Sequence, residues 1–206
     1  MKIVEMFVSI EGEGVLAGRS AAFARLYGCN LRCEWCDTKY SYDPASEFLE
    51  LEIDEIFDFA KRAKTEIVSI TGGEPFLCEN LRELCEKLLT LKRLVKIETN
   101  GTIWREIPSE IYLAVSPKPQ ANFRVKEEIA NRANELKFIV DRELNSNVIL
   151  DEKIRAIYDR GAAIVLQLEN NREESLKKAI LIQRELYDRG ILARIGAQLH
   201  KLLSLG

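Results

Sequence analysis

Cys29-Asn30-Leu31-Arg32-Cys33-Glu34-Trp35-Cys36 brings three cysteines together within eight residues. Three thiolates with this C-x3-C-x2-C spacing can hold three irons of a four-iron, four-sulfur cluster, whose usual complement is four cysteines. The fourth iron then has no protein ligand and is free to bind a small molecule through an amine and a carboxylate. A structural zinc loop is the alternative, but zinc prefers four protein ligands, and the single histidine, His200, is distant in sequence.

The composition is that of one ordinary globular domain. The chain has 206 residues, of which 47% are hydrophobic, and this is enough for one well-buried core over residues 1–206. A net charge of -3 predicts no general affinity for nucleic acid or for an anionic membrane, and no apolar run has membrane-spanning length. Met1–Glu5 does not resemble a signal peptide. Five cysteines, an odd number, favour the reducing cytoplasm over a disulfide framework.

Short β-branched runs alternate with amphipathic stretches along the chain. The runs predict strands at Lys2–Val8, Ala21–Tyr27, Glu66–Ile70, Leu94–Glu98, Ile111–Val115, Glu135–Val140, Ala163–Leu168 and Leu192–Gly196. This alternation favours an α/β fold with a mainly parallel sheet and helices outside it, either curved into a partial barrel or open.

The intervening stretches predict helices with one apolar face. One face carries Leu81, Leu84, Cys85 and Leu88, and a second carries Leu150, Ile154, Ile157 and Tyr158. Asp159-Arg160-Gly161 and Asp188-Arg189-Gly190 are typical of helix ends, with a basic residue followed by glycine. Cys78 and Cys85 are in phase with the first face, so we interpret both as core residues.

Polar residues follow the predicted strands at their carboxyl ends, where ligands gather in parallel α/β folds. The segments concerned are the cysteine loop, Thr71–Pro75, Thr99–Gly101, Ser116–Lys118, Gln167 with Glu169, and Gln198–Lys201. We expect them to meet at one edge of the sheet and to form a binding site.

The turn Gly72-Gly73-Glu74-Pro75 is the second informative motif. Glycine has no Cβ and allows close backbone approach to a ligand, and the Glu74 carboxylate suits a ligand ammonium group. Gly-Gly alone is commonly just a turn, so its weight comes from the cysteine loop beside it. Trp35, within that loop, either lines an adenine or ligand pocket or packs beside the cluster.

The cysteine triplet and this turn together resemble the radical S-adenosylmethionine superfamily. The flanking stretches Phe7–Gly14, Phe23–Leu31 and Cys36–Thr38, with Gln198–Lys201 near the end, resemble the 7-carboxy-7-deazaguanine synthase family within it. The resemblance implies a partial (β/α) barrel with a curved, mainly parallel sheet. It also implies a 4Fe-4S cluster, S-adenosyl-L-methionine and Mg2+.

The same resemblance implies the activity. Members of that family rearrange 6-carboxy-5,6,7,8-tetrahydropterin to 7-carboxy-7-deazaguanine with loss of ammonia, for the synthesis of deazapurine bases of tRNA (queuosine or archaeosine). The open iron chelates S-adenosylmethionine, and one electron yields a radical that abstracts hydrogen from C6 of the pterin and is later restored. A homodimer and a flavodoxin or ferredoxin electron donor are implied as well.

Roles for individual residues follow from the resemblance. Cys29, Cys33 and Cys36 resemble the cluster ligands and Thr38 the magnesium ligand. The cofactor contacts are Trp35, Cys36, Asp37, Gly73, Glu74, Ser116, Pro117, Lys118, Gln167, Leu168, Glu169 and Asn170. The substrate contacts are Glu11, Gly12, Glu13, Arg25, Thr71 and the terminal Gly206.

Side-chain chemistry agrees with several of these roles and leaves alternatives open. Arg25 offers a planar fork for the substrate carboxylate, although a sheet ion pair is the alternative. Glu11 and Glu13 are natural acceptors for pterin N–H groups. One hydroxyl, that of Thr38, suffices for magnesium, which keeps waters and takes substrate oxygens, but Asp37 and Thr38 are also typical capping residues.

The chain departs from the family at two of these positions. Glu11 stands where the family commonly has Gln, which replaces a donor and acceptor by an acceptor alone. Leu168 stands where many relatives have Pro after the Gln. Two other functions are alternatives. One is a radical activase acting on a glycine of a partner enzyme, which has the same cysteine spacing and Gly-Gly-Glu-Pro turn, and the other is a non-catalytic iron–sulfur electron carrier.

Overall fold

The structure is a computed structural model that describes residues 1–204. Its strands are β1 (Lys2–Ile10), β2 (Ser20–Leu26), β3 (Leu49–Glu50), β4 (Ile67–Gly72), β5 (Leu94–Thr99), β6 (Tyr112–Val115), β7 (Glu135–Val140), β8 (Ala163–Leu168) and β9 (Ala193–Gly196). All the predicted strands are confirmed, with ends that differ by at most two residues. The two-residue β3 was not predicted.

The strands form one curved sheet in the order β3-β1-β2-β4-β5-β6-β7-β8-β9. Neighbouring strands are parallel from β2 through β4 to β9, whereas β1 is antiparallel to both of its neighbours, β2 and β3. The sheet is not closed, but its two ends approach each other: Leu199 N donates to Gly12 O (2.9 Å), and Gly14 N donates to Gln167 Oε1 (3.4 Å). The fold is therefore the partial barrel that the resemblance implied.

The helices flank the sheet, and all but the last bury apolar residues in the core on its outer face. They are α1 (Ile53–Ala63), α2 (Leu81–Leu89), α3 (Glu127–Ala130), α4 (Ser146–Leu150), α5 (Glu152–Asp159), α6 (Glu173–Tyr187) and α7 (Leu199–Leu202), with 3-10 turns at Lys39–Ser41, Pro75–Leu77 and Pro119–Ala121. A capping box starts α1, in which Glu55 Oε2 accepts from Glu52 N (2.8 Å).

The apolar face predicted for α2 is confirmed, since all four of its residues are buried. The second predicted face was wrong in one respect, because its residues belong to two helices and not to one. Leu150 ends α4, and the helical conformation is interrupted before α5 begins. The reason is Asp151, whose Oδ1 accepts from Lys153 N (3.0 Å) and starts a new helix. The predicted helix ends after α5 and α6 are confirmed by Gly161 and Gly190, which have φ angles of 103° and 74°.

Strand residues alternate between an apolar outer face and a polar concave face. In β5, Val95 and Ile97 belong to the hydrophobic core, whereas Lys96 and Glu98 project to the other side. One core cluster extends from β1 to the end of α6 and supports the proposal of a single domain over residues 1–206. Cys85 lies in this core and Cys78 packs against it, as predicted. Among residues 1–204, no helix is long and apolar enough to cross a bilayer.

Candidate active site

A cavity of about 400 Å3 opens at the carboxyl ends of the strands. The predicted convergence of polar segments is confirmed, because residues from each of them line it. The predicted site residues found in its lining are Glu11, Gly12, Glu13, Arg25, Cys29, Cys33, Trp35, Cys36, Asp37, Thr38, Thr71, Gly73, Ser116, Lys118, Glu169 and Asn170. Four others, Glu74, Pro117, Gln167 and Leu168, do not line it, and Gly206 lies outside the described residues.

The cysteine loop joins β2 to the 3-10 turn at Lys39–Ser41 and is fixed at both ends. Gly28 N donates to Ser41 O (2.7 Å), which closes the base of the loop. Asn100 Nδ2 donates to Asn30 Oδ1 (2.9 Å) and ties the loop to the end of β5. These hydrogen bonds hold the loop against the end of β5 and close its base.

The three thiols fit a cluster better than a single metal ion. All three cysteines are partly exposed to the cavity and are free. In the described part of the chain, the ligand-type side chains that gather within 4.8 Å of one another are Glu13, Asp37 and His200, not the three thiols. Thiols that are spread more widely suit separate irons of a cluster and do not suit one zinc ion. Burial raises the pKa of the Cys29 and Cys33 thiols, so iron displaces protons when it binds there.

The glycines of the Gly72-Gly73 turn are needed for backbone packing inside the protein. Gly72 has φ 133°, and an added Cβ would lie 2.2 Å from Leu26 O. A Cβ on Gly73 would lie 1.9 Å from Gly28 O. The turn is thus pressed against the end of β2, where Glu74 N donates to Gly28 O (2.8 Å). This close approach to its own backbone differs from the predicted approach to a ligand, although Gly73 still lines the cavity.

Glu74 is buried beneath the cavity, where it accepts hydrogen bonds from the segments that surround it. Its carboxylate is 1% exposed and accepts hydrogen bonds from Phe76 N (3.1 Å), Thr99 Oγ1 (2.7 Å) and Asn100 N (2.7 Å). Burial raises the pKa of Glu74 to about 7, and these donors act in the opposite direction. The predicted contact of this carboxylate with a ligand ammonium group has no support in this geometry. Gln167 is likewise internal, and its Nε2 donates to Gly196 O (2.9 Å).

Trp35 is oriented within the cavity wall. Its Nε1 donates to Asp141 Oδ2 (2.9 Å), and Lys118 Nζ lies 4.6 Å from the centre of its ring. Lys118 also donates to Ser116 Oγ (2.6 Å), and burial lowers its pKa. Because Trp35 lines the cavity, the pocket interpretation is favoured over packing alone.

Thr38 and Asp37 follow the last cysteine, and within residues 1–204 neither side chain makes a capping hydrogen bond. Thr38 begins the 3-10 turn, but its side chain makes no capping hydrogen bond, and its hydroxyl lies 3.6 Å from Cys36 Sγ at the cavity wall. Asp37 Oδ2 lies 3.3 Å from Lys201 Nζ and 3.7 Å from His200 Nε2. The Thr38 hydroxyl therefore remains available, which fits one protein ligand to magnesium.

Arg25 projects from β2 beside Thr71 of β4. Its Nε donates to Glu5 Oε1 (2.6 Å), so the sheet ion pair that was the alternative is present. The guanidinium also lies 5.6 Å from the ring of Phe7 and 5.8 Å from the ring of Tyr40. Within residues 1–204 the terminal nitrogens of Arg25 have no hydrogen-bond partner, so this cavity-lining side chain still has donors to offer.

A ladder of buried charges beneath the cavity was not predicted. Lys96 Nζ lies 2.6 Å from both Glu11 Oε2 and Glu98 Oε1, and Lys137 Nζ lies 3.0 Å from Glu98 Oε2 and 2.8 Å from Glu13 Oε2. Burial opposes ionisation of Glu98, but the charges of the two lysines outweigh it and lower the pKa of Glu98. The sequence signal that could have predicted the ladder is the presence of Lys96 and Glu98 on the same side of β5, a strand that is otherwise mainly apolar.

This partial barrel with three cysteines at its carboxyl rim defines a radical S-adenosylmethionine enzyme, and the family model of the Radical SAM superfamily matches residues 25–113. The 7-carboxy-7-deazaguanine synthase of Aquifex aeolicus is 38% identical over 205 residues, covering 98% of this chain and 92% of that protein. The one from Rickettsia prowazekii is 31% identical over 215 residues, covering 100% and 88%. The chain therefore belongs to the 7-carboxy-7-deazaguanine synthase family.

Solved structures agree. The crystal structure of QueE from Escherichia coli matches with a TM-score of 0.80 at 27% identity, covering 97% of this chain and 94% of that chain. SuiB of Streptococcus suis, bound to S-adenosylmethionine, shares the fold, with a TM-score of 0.57 at 16% identity over 85% of this chain and 45% of that chain. As a member of this family, the chain uses a 4Fe-4S cluster, S-adenosylmethionine and Mg2+.

Proposed function

We propose that the protein is a carbon–nitrogen lyase that converts 6-carboxy-5,6,7,8-tetrahydropterin to 7-carboxy-7-deazaguanine with loss of ammonia. The observation that carries this proposal is that Arg25, Thr38 and Glu11 line the same cavity as the three cysteines. A cluster by itself would require only the three cysteines. A carboxylate fork, a hydroxyl for magnesium and a carboxylate acceptor beside them fit a carboxypterin.

The substrate side of the cavity orients the pterin. The terminal nitrogens of Arg25 donate to the substrate carboxylate, and Glu11 and Glu13 face its N–H groups. Thr71, which neighbours Arg25 across two strands, and Gly12 complete this wall. Gly206 remains a predicted contact outside the described residues.

The cofactor side holds S-adenosylmethionine next to the cluster, and together they supply a radical that abstracts hydrogen. Trp35 offers a flat apolar face, and Gly73 offers its backbone. Asp37, Ser116, Lys118, Glu169 and Asn170 supply polar groups around the same cavity. Glu74, Pro117 and Leu168 are each next in sequence to a residue that lines the cavity, and with Gln167 they remain predicted cofactor contacts.

The wider setting follows from this chemistry. The product would enter deazapurine synthesis for tRNA bases, the electron would come from flavodoxin or ferredoxin, and the enzyme would work in the cytoplasm as a homodimer. Free cysteines in the described chain are compatible with a reducing compartment.

One anaerobic assay tests the proposal. The cluster is reconstituted from iron and sulfide, and the enzyme is supplied with reductant, S-adenosylmethionine, magnesium and the carboxypterin. We expect 7-carboxy-7-deazaguanine and ammonia, with S-adenosylmethionine regenerated. Absence of turnover on the free pterin by a fully loaded enzyme would favour an activase. Cluster spectra that do not respond to S-adenosylmethionine would favour an electron carrier.

A further inference from the structure

Gln198 joins the substrate side of the cavity to its cofactor side. The residue directly precedes α7, is 5% exposed and lines the cavity. Its Nε2 donates to Glu13 Oε1 (2.7 Å), and its Oε1 accepts from Asn170 N (2.9 Å). Glu13 is a proposed substrate contact and Asn170 a proposed cofactor contact, and both line the cavity. One buried side chain therefore bridges the two halves of the site.

The chemistry of its two partners fixes the orientation of the Gln198 amide. A carboxylate only accepts and a backbone N–H only donates, so the amide nitrogen faces Glu13 and the amide oxygen faces Asn170. The other oxygen of Glu13, Oε2, lies 2.8 Å from Lys137 Nζ. Gln198 and Lys137 thus hold the carboxylate by both oxygens. The Glu13 side chain is still 16% exposed, so a ligand in the cavity can reach it.

Gln198 is itself held in place by its backbone. Gln198 N donates to Asn171 Oδ1 (2.7 Å), and Asn171 Nδ2 donates to Gln198 O (3.0 Å). The side chain of Gln198 makes no capping hydrogen bond to α7. Both polar groups of this side chain therefore serve the cavity and not the helix that follows.

The turn on the cofactor side depends on this support. Asn170 and Asn171 have φ angles of 51° and 53°, so two successive residues other than glycine are in the left-handed region. Such conformations cost energy and persist only where neighbouring contacts hold them. If Gln198 Oε1 were removed, Asn170 N would lose its hydrogen bond and the turn would be free to relax.

We infer that Gln198 is a positioning residue for both ligands: its amide holds the Glu13 carboxylate in place for the substrate and the Asn170 turn in place for the cofactor. This inference rests on the proposed function and deepens it. Hydrogen abstraction demands close placement of substrate and cofactor relative to each other. A residue that ties both sides of the cavity together sets that placement.

Direct binding to the cluster-loaded enzyme tests the inference. Anaerobic calorimetry without reductant, so that no turnover occurs, measures two affinities. One titration adds S-adenosylmethionine alone, and the other adds 6-carboxytetrahydropterin to enzyme saturated with S-adenosylmethionine and Mg2+.

Two substitutions of Gln198 separate its two contacts. Gln198→Glu keeps an acceptor for Asn170 N but replaces the donor to Glu13 by a second carboxylate. We expect its affinity for the pterin to fall by about tenfold or more, and its affinity for S-adenosylmethionine to stay within about twofold. Gln198→Leu has neither group, so both affinities should fall by about fivefold or more.

A double variant tests whether Gln198 acts on the substrate through Glu13. In Glu13→Gln alone, the new amide has one oxygen for two donors, Gln198 Nε2 and Lys137 Nζ. In Glu13→Gln with Gln198→Glu, the amide at position 13 donates to the carboxylate at position 198, and the net charge of the protein is that of the wild type. We expect the double variant to bind the pterin about fivefold more tightly than Glu13→Gln, a gain that a merely structural role would not give.

Gln183→Glu is the matched control. Gln183 Nε2 also donates a hydrogen bond of 2.7 Å, to Ala193 O, but at the amino end of β9 and away from the cavity. Both affinities of this variant should equal those of the wild type.

The outcomes are distinct. The inference alone would be overturned by wild-type pterin affinity in Gln198→Glu, by wild-type affinity for S-adenosylmethionine in Gln198→Leu, or by a double variant that binds no more tightly than Glu13→Gln. If one of these variants does not fold, the remaining comparisons decide by the same criteria. Failure of the wild-type enzyme to bind the pterin would overturn the proposed function together with this inference.

Discussion

Arg25 combines two contacts that a substitution can separate. Its Nε donates to Glu5, and its side chain lines the cavity with the terminal nitrogens free of hydrogen-bond partners within residues 1–204. Arg25→Lys keeps the charge beside Glu5 but removes the planar fork. A lost charge-assisted hydrogen bond costs about 1.5–3 kcal/mol, so we expect KM for the carboxypterin to rise by about 10- to 100-fold. Steady-state kinetics measure this rise, and cluster absorbance should be unchanged.

Arg19→Lys is the control for Arg25→Lys, because Arg19 forms an exposed ion pair with Glu66. It should leave KM unaltered. An Arg25→Lys enzyme with wild-type KM would contradict the role of the fork, and so would loss of the cluster, since Arg25 is not one of the cluster ligands.

Glu74 gives a second prediction for a single side chain, this time for stability. Glu74→Ala leaves three buried donors without an acceptor: Phe76 N, Thr99 Oγ1 and Asn100 N. A buried donor left unpaired costs about 1–3 kcal/mol, so the free energy of unfolding should fall by about 3 kcal/mol or more. Urea denaturation of the metal-free protein measures the change. Glu79→Ala, on an exposed side chain nearby, should have no effect, and an equally small change in Glu74→Ala would refute the prediction.

The first residues of α7 close the gap between the two ends of the sheet. Leu199 N donates to Gly12 O, and a Cβ on Gly12 would lie 2.3 Å from His200 Nδ1. Gly12→Ala should therefore push this segment away and leave the rest of the fold intact. We expect exchange of the Leu199 amide hydrogen to accelerate by about tenfold or more, as for local opening of a weakly held element.

A compensating substitution checks the cause of this opening. His200→Ala removes the imidazole that the new methyl group would meet. Added to Gly12→Ala, it should restore slow exchange of the Leu199 amide hydrogen. In His200→Ala alone, this hydrogen should exchange only slightly faster than in the wild type. If the double variant exchanges as fast as Gly12→Ala, the displacement has another origin.

Elements with a strong local signal were predictable from the sequence. β7 and β8 have the predicted bounds, because each is a short run rich in β-branched and other apolar residues, which is typical of a strand. The two-residue β3 has no such run, and its pairing with Lys2 and Ile3 depends on tertiary structure. Leu150 and Ile154 have helical spacing, but the Asp151 cap overrides the pattern.

The residues of the candidate active site were likewise predictable where the signal is local and unpredictable where it depends on tertiary structure. The cysteine loop is a local motif and was found at once. The pair of Lys96 with Glu11 joins residues 85 apart in sequence, and only the curvature of the sheet brings them together. The internal position of Glu74 could not be predicted either, because it depends on how the turn packs against β2.

At the level of the whole molecule, the barrel is apolar between sheet and helices and charged on its concave side. Outer residues such as Ile97 and Phe138 are 0% exposed and form the core, whereas Lys96 and Lys137 lie inside the curve with three acids. Burying two ammonium groups is costly unless carboxylates pair with them. The stability of the fold and the charge state of the active site are therefore coupled.

This coupling predicts how stability depends on pH. The lysines lower the pKa of Glu98, so its contribution is present above the ordinary value of about 4.5 and is lost as pH falls through the folded-state value. The pKa values of Lys96 and Lys137 are raised because the surrounding acids outweigh burial, so their contribution is present below about 10.5 and lost at higher pH. Stability from the ladder should thus be greatest between these limits.

Glu98→Gln tests the acid limb of this dependence. The variant has no carboxyl group to protonate at this position, so its free energy of unfolding should fall less steeply than that of the wild type as pH drops from about 4.5 to 3. The difference in slope should reach up to about 1.4 kcal/mol per pH unit, the value for one linked proton. Urea denaturation of the metal-free protein across this range measures it. Glu79→Gln should keep the wild-type slope, since its side chain is exposed and unpaired with the ladder. Equal slopes for Glu98→Gln and the wild type would mean that Glu98 titrates alike in the folded and unfolded chains, which two lysines within 3.0 Å of its oxygens should prevent.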